Sequence, residues 1–230
     1  VLAGGLSGER KISFLTGKAC SKALKKKGYK VSELDARGNF IGKLKKLKPK
    51  LVFNALHGQY GEDGFVQSIL ESLKIPYTHS GVLSSSLAMD KDLSRILFKK
   101  NNIKTPKYFL LQKDHEENLK RKIKDKKIKF PIVIKPVNEG SSLGVYICKN
   151  KIQFNRNYKK LKNEYNRILV EEYIPGKEIQ VAVMGHKALG AIELVPTREF
   201  YDYKAKYSTK AKTKHIMPAP ILQKKYNEVL

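Results

Sequence analysis

The chain has 230 residues, 41% of them hydrophobic, which is enough for one large or two small domains with real cores. Its formal charge of +26 comes from 47 basic against 21 acidic residues, and only seven of the basic residues are arginines. Because base recognition favours arginine with interleaved aromatic residues, this lysine-rich usage argues against nucleic-acid binding. No apolar run is long enough to span a membrane, so we expect no membrane partner.

The two ends of the chain predict a fragment. Val1 begins the sequence without a methionine, in what reads as a strand, and Leu230 ends it inside a predicted helix. Nothing present resembles a signal peptide, although a leader sequence lost from before Val1 stays an open alternative. Cys20 and Cys148 lie far apart without metal-ligand spacing, so both are predicted to be core thiols in a reducing compartment, with the cytoplasm as the expected location.

Residues 1–82 are expected to form a small α/β domain with a parallel, Rossmann-like sheet. A helix after the turn in GGLSGER carries Ile12, Leu15, Ala19 and Ala23 on one apolar face and ends at Gly28. The other elements predicted in this domain are a helix over residues 64–73 and strands over residues 1–3, 29–34, 51–55 and 76–78.

Two candidate ligand residues follow strands of this domain, and α/β sheets bind ligands where their strands end. Glu9 stands at the start of the first helix, and His57 lies in NALHGQYGEDG after the third strand. The helix dipole alone would also account for Glu9, and His57 would also serve as a hydrogen bonder that orders its loop. The residues alone leave both alternatives open.

Residues 83–168 are expected to form a second domain around a phosphate clamp. A helix from Asp90 and a strand from Tyr108 precede it. In residues 130–148, FPIVIKPVNEGSSLGVYIC, a β-branched strand ends in Lys135, a glycine-rich loop follows and a second strand returns. Loop amides and the ammonium group would converge on a phosphate. An ordinary hairpin with a solvated lysine is the alternative.

Residues 169–230 are expected to form the first part of a third subdomain. A strand over residues 168–172 leads into it, and strands over residues 178–184 and 187–195 pair antiparallel. Residues 196–220 are long, charged and aromatic, which is typical of a lid loop. The basic segment 119–129 and the polar segment 150–166 carry no recognisable chemistry, so we expect both at the solvated surface.

Five segments together resemble the D-alanine–D-alanine ligase family of ATP-grasp enzymes: GGLSGER, NALHGQYGEDG, MDKDLSR, KPVNEGSSLGV and FYDYKAKY. The resemblance implies an α/β protein in which the N-terminal parallel-sheet domain is followed by an ATP-grasp fold with an incomplete last subdomain. It also implies ATP-dependent ligation of two D-alanines through an acyl phosphate, for peptidoglycan precursors, by a homodimer.

The resemblance implies roles for individual residues. Glu9 would meet the ammonium group of the first D-alanine beside His57, and Glu9, Ser141 and Tyr207 would form a hydrogen-bonded trio that orders the lid. Tyr207 favours the dipeptide, because related enzymes that make an ester carry phenylalanine there. The residues implied to bind ATP are Lys91, Lys135, Gly140, Ser142, Gly144, Glu171, Glu172, Ile174, Glu178 and Lys206.

Three of these would form the site for the nucleoside. Glu171 would accept a hydrogen bond from the adenine amino group, the Ile174 backbone would contact the ring, and Glu178 would hold the ribose hydroxyls. Lys91, Lys135 and Lys206 would reach the phosphates, where their positive charges would offset the negative charge of the triphosphate.

The family uses Mg²⁺ or Mn²⁺ with ATP, but no metal ligand is identified within residues 1–230. The family's Arg-x-Asp-Phe segment with a Glu-x-Asn segment after it does not occur there, so the ligands are expected beyond Leu230. We therefore expect this stretch alone to bind ATP weakly and not to turn over. The alternatives are another ATP-grasp carboxylate–amine ligase, an inactive nucleotide-binding remnant, or a nucleic-acid binder.

Overall fold

A computed structural model describes residues 1–112, 123, 125–197, 206–207 and 213–230. Within these ranges, no helix has both the length and the apolar character needed to cross a membrane. The helices are α1 (Arg10–Lys26), α2 (Phe40–Leu47), α3 (Phe65–Ser72), α4 (Val82–Met89), α5 (Lys91–Lys100), α6 (Lys151–Glu164) and α7 (Gln223–Val229). The strands are β1 (Leu2–Ala3), β2 (Leu34–Asp35), β3 (Tyr108–Gln112), β4 (Ile132–Pro136), β5 (Tyr146–Cys148), β6 (Arg167–Glu172), β7 (Glu178–Met184), β8 (Lys187–Val195) and β9 (Lys214–Ile216).

The N-terminal sheet is parallel, as predicted, but its strands are short. β1 pairs with β2, and single parallel bridges join Leu2 to Asn54 and Val52 to Tyr77. The strand predicted over residues 29–34 is therefore wrong for all but its last residue. α3 agrees with the predicted helix to within one residue at each end. The core of this part contains Leu2, Phe40, Leu44, Val52, Leu56, Val66 and Leu70.

The apolar face predicted for α1 is not its buried face. Leu15 is 65% exposed, whereas the buried residues of α1 are Ser13, Gly17 and Ser21. A Cβ atom at Gly17 would lie 2.7 Å from the Ala3 Cβ, so α1 crosses β1 too closely for large side chains. Ser13 belongs to this contact because its Oγ accepts from the Gly4 amide at 2.8 Å and donates to the Ala55 carbonyl at 2.7 Å.

The central sheet is antiparallel, with the strand order β3-β6-β4-β5. One of its faces packs against α6, so the surface location predicted for residues 150–166 holds only for the exposed face of this helix. Phe154, Asn157 and Leu161 of α6 are buried, at the spacing of an amphipathic helix. Cys148 is buried in this core as predicted, whereas Cys20 on α1 is only partly buried.

The third sheet has the order β7-β8-β9 and is antiparallel, which confirms the predicted pairing of β7 with β8. Residues 198–205 and 208–212 of the predicted lid loop lie outside the described residues, as do residues 119–122 and 124 of the basic segment. β6 crosses the proposed boundary between residues 168 and 169 while pairing within the central sheet. The division at residues 82 and 168 stays a prediction.

Replacing Gly17 by valine should lower the free energy of unfolding by about 1–3 kcal/mol, because the added atoms overpack the contact between α1 and β1. Chemical denaturation followed by circular dichroism measures this change. Ala19→Val is the matched control, since Ala19 is exposed on the same helix, and it should change stability by less than about 0.5 kcal/mol. Equal effects of the two substitutions would contradict the close packing.

Candidate active site

The glycine-rich loop lies between β4 and β5, as the clamp prediction requires. Its backbone turns sharply, because Ser141 and Ser142 have φ angles of 49° and 60° and Gly144 has one of 68°. A Cβ atom at Gly144 would lie 2.8 Å from the Pro136 Cγ, so glycine is needed there. Non-glycine residues held in the left-handed region are concentrated at ligand-binding sites.

Glu9 is the buried carboxylate against which this loop packs. Only 2% of the residue is exposed. Its Oε1 accepts a hydrogen bond from the Ser141 hydroxyl and lies 3.5 Å from the Tyr207 Oη, and the two hydroxyls are 2.6 Å apart. The structure thus brings the predicted trio together, across α1, the clamp loop and the lid segment.

The other oxygen of Glu9 has no hydrogen-bond partner among the described residues. This Oε2 atom is buried and lies beside Gly58 and Gly140, where added Cβ atoms would be 2.6 and 3.1 Å away. A buried acceptor without a donor is costly, and an ammonium group would supply both a donor and a countercharge. The corner therefore fits the amino group of a small amino acid.

His57 lies next to Gly58 in this corner and is oriented by two neighbours. Its Nε2 is 2.9 Å from the Thr16 hydroxyl, and its Nδ1 is 3.8 Å from a Glu62 oxygen. The second Glu62 oxygen accepts from the Gly58 amide at 2.7 Å, while burial raises the pKa of Glu62. Neither Thr16 nor Glu62 was predicted as a site residue, although Glu62 falls within the NALHGQYGEDG segment.

Lys91 and Lys135 lie where the clamp loop leaves β4. The Lys91 ammonium donates to the carbonyls of Val137, at 3.2 Å, and Glu139. Burial, with a smaller contribution from the Lys135 charge, lowers the pKa of Lys91 to about 8. The Lys135 ammonium is 2.5 Å from an oxygen of Glu171. The clamp thus has two mostly buried cations at its base.

Glu171 is buried rather than at an exposed strand end, with 6% of its surface accessible. Its second oxygen pairs with Arg95 on α5, a residue that the sequence did not indicate. Glu172 faces away from Lys135, because successive residues of a strand point to opposite faces. Its carboxylate accepts a hydrogen bond from the Lys107 amide at 3.2 Å. The structure therefore does not bring the side chain of Glu172 to the other predicted ATP ligands.

The remaining predicted ATP ligands are Lys206, Glu178 and Ile174. Burial lowers the pKa of Lys206, and the nearby charges of Glu178 and Glu9 oppose that effect. Desolvation raises the pKa of Glu178 against the influence of Lys206. The charge of Lys206 is therefore near those of both Glu178 and Glu9, whereas Ile174 is 59% exposed. Among the described residues, no three His, Cys, Asp or Glu side chains form a group that could hold a metal ion.

Comparisons with known proteins match both halves of the chain. The model of the D-ala D-ala ligase N-terminus matches residues 37–80, and the model of the D-ala D-ala ligase C-terminus matches residues 97–230. The chain belongs to the D-alanine–D-alanine ligase family. The predictions of that family, of an ATP-grasp fold and of an ATP-dependent ligase are thereby confirmed, and another ATP-grasp ligase is not favoured.

Relatives in this family are identical to this chain at about half of the aligned positions. The D-alanine–D-alanine ligase of Pelagibacter ubique is 55% identical over 223 residues, which cover 96% of this chain and 72% of the relative. That of Wolbachia pipientis wMel is 47% identical over 234 residues, covering 100% of this chain and 71% of the relative.

Solved ligase structures have the same fold. The D-alanine–D-alanine ligase of Bacillus anthracis superposes with a TM-score of 0.81 at 33% identity, over 99% of this chain and 73% of that one. The same ligase complexed with ATP gives a TM-score of 0.79 at 29% identity, over 96% of this chain and 70% of that one.

The pKa of Lys91 predicts a pH-dependent affinity for ATP. Lys91 is charged below about pH 8 and loses its proton as the pH rises through that value, so the affinity of the full-length gene product should fall by up to about tenfold between about pH 7 and about pH 9. Isothermal titration calorimetry measures this change.

Two variants test the assignment to Lys91. Lys91→Arg should remove most of the pH dependence, because a guanidinium stays charged throughout this range. Lys159→Arg, at an exposed position of α6, is the matched control and should keep the dependence of the unmodified protein. A pH dependence that survives in Lys91→Arg would assign it to another group.

Proposed function

We propose that the protein joins two D-alanines into D-alanyl-D-alanine with ATP, for peptidoglycan precursors, at the site between Glu9 and the clamp. The unpartnered, buried oxygen of Glu9 is the observation that carries this proposal. It would take the ammonium group of the first D-alanine, with His57 beside it. Since Ser141 of the clamp loop contacts the same carboxylate, the substrate carboxylate would then lie next to the phosphates.

The nucleotide would lie along the clamp with its phosphates towards this corner. Lys91 and Lys135 would neutralise the phosphate charge, together with the loop amides of Gly140, Ser142 and Gly144. Lys206 would approach from the lid. The adenine would lie at Glu171 and the backbone of Ile174, and Glu178 would hold the ribose hydroxyls.

The reaction would proceed in two steps on this surface. A carboxylate oxygen of the first D-alanine attacks the terminal phosphorus of ATP, and the bond from that phosphorus to the bridging oxygen breaks to release ADP. The neutral amine of the second D-alanine then attacks the acyl-phosphate carbon, inorganic phosphate leaves, and the nitrogen loses a proton. Tyr207 would hold the lid over the acyl phosphate, so that water is excluded.

Family membership also supports Mg²⁺ or Mn²⁺ as the metal that accompanies ATP. The described residues do not form a ligand group that fits such an ion. The protein would act as a homodimer in the cytoplasm, where ATP is available.

Lys135→Ala should lower D-alanine-dependent ADP release by at least about 100-fold in the full-length gene product, because a preorganised cation at the phosphates is lost. A coupled ADP assay measures the release. Lys159→Ala, at an exposed position of α6, is the matched control and should keep normal activity. Near-normal turnover of Lys135→Ala would disprove the assignment of the clamp.

Glu9→Gln should raise the KM for the first D-alanine by about 10- to 100-fold, because a charge-assisted hydrogen bond to its ammonium group is lost. The KM for ATP should change much less. Steady-state kinetics with each substrate varied in turn separate the two effects. Glu164→Gln, an exposed carboxylate on α6, is the control, and an unchanged D-alanine KM in Glu9→Gln would exclude the proposed ammonium contact.

A further inference from the structure

Glu171 pairs with two cations rather than one. Its Oε1 is 2.5 Å from the Lys135 ammonium, and its Oε2 accepts from the Arg95 guanidinium. Arg95 is itself buried, with 9% of its surface exposed. The carboxylate thus lies between a lysine from β4 and an arginine from α5.

Arg95 is held in place by further contacts. Its guanidinium carbon is 4.8 Å from the centre of the Tyr108 ring, and its Nη1 donates to the Pro106 carbonyl at 3.3 Å. A planar guanidinium can lie over an aromatic ring while its N–H donors point in fixed directions, whereas an ammonium is a compact point charge. Arg95 is therefore oriented independently of Lys135.

Further ion pairs join β6 to α5, but here the arginine is on β6 and the carboxylates are at the start of α5. Arg167 on β6 is 2.5 Å from an oxygen of Asp90 and 3.2 Å from one of Asp92, at the start of α5. In the first pair the arginine is on α5 and the carboxylate on β6. The two pairs together fix α5 along β6, and with it Lys91, the first residue of α5.

The two cations on Glu171 would act differently when a nucleotide binds. In the proposed function Lys135 neutralises phosphate, so its ammonium is shared with the ligand. Arg95 has no assigned role at the phosphates in the proposed function and would stay on Glu171. A buried carboxylate left without a partner is strongly disfavoured and would turn towards another one. Arg95 therefore holds the Glu171 carboxylate in place while Lys135 is engaged with phosphate.

The orientation of the Glu171 carboxylate determines which base it can recognise. A carboxylate accepts hydrogen bonds and has no donor to offer. Adenine presents an amino donor at C6, and hypoxanthine presents a keto acceptor at the same position. We propose that Arg95 is a positioning residue that acts through Glu171 to make the enzyme select adenine. This inference rests on the proposed function, which places the adenine amino group at Glu171.

The test compares ATP with inosine triphosphate as substrates of the full-length gene product. Arg95→Met should lower the ratio of kcat/KM for ATP to that for inosine triphosphate by about tenfold or more, because the loss falls on the amino-group contact. The KM for D-alanine should stay unchanged. Arg95→Lys restores the charge and should recover most of the selectivity. Arg156→Met, at an exposed position of α6, is the control and should keep the original ratio.

Several outcomes would overturn the inference. An equal loss with both nucleotides would make Arg95 a purely structural residue, and so would a failure of both Arg95→Met and Arg95→Gln to fold, judged by circular dichroism. Glu171→Gln separates this inference from the proposed function. If the ratio falls in Glu171→Gln but not in Arg95→Met, only the role of Arg95 is wrong. If it stays unchanged in Glu171→Gln, the adenine contact itself is wrong, and the inference fails with it.

Discussion

The hydrogen bonds that reach the buried carboxylate of Glu9 join three distant parts of the chain. Ser141 lies 132 residues after Glu9, and Tyr207 lies 198 residues after it. A carboxylate that is 2% exposed must find donors, because an unpaired buried charge is costly. The start of α1, the clamp loop and residues 206–207 are therefore held in one arrangement, and the corner beside the Glu9 Oε2 exists only in that arrangement.

The base of the clamp depends on charge pairing in a strongly basic protein. With a formal charge of +26, the chain would repel itself wherever several cations converge. Around the clamp, Glu171 lies between Lys135 and Arg95, while Asp90 pairs with Arg167. These carboxylates hold the cations in place before any anion arrives. Such preorganisation lowers the reorganisation needed when a phosphate binds.

Much of the site was predictable from the sequence because its parts are local. The strand, glycine-rich loop and strand of residues 130–148 form as expected, since β-branched residues favour strands and glycines favour tight turns. Asp90 caps α5 by accepting from the Asp92 and Leu93 amides, as its position before the helix indicates. The ligase-like motifs could likewise be recognised, because each is a short stretch whose chemistry depends on its own residues.

Contacts between elements were decided only by the tertiary structure. The sequence favours Leu15 for the buried face of α1, but the close approach of β1 leaves room only for residues such as Ser13 and Gly17. The pairing of Arg95 with Glu171 spans 76 residues and leaves no local pattern, because an ion pair between packed elements depends on where those elements meet. The sequence by itself thus determined the clamp hairpin, the start of α5 and the chemical groups that they carry. The packing of those elements determined which groups became partners.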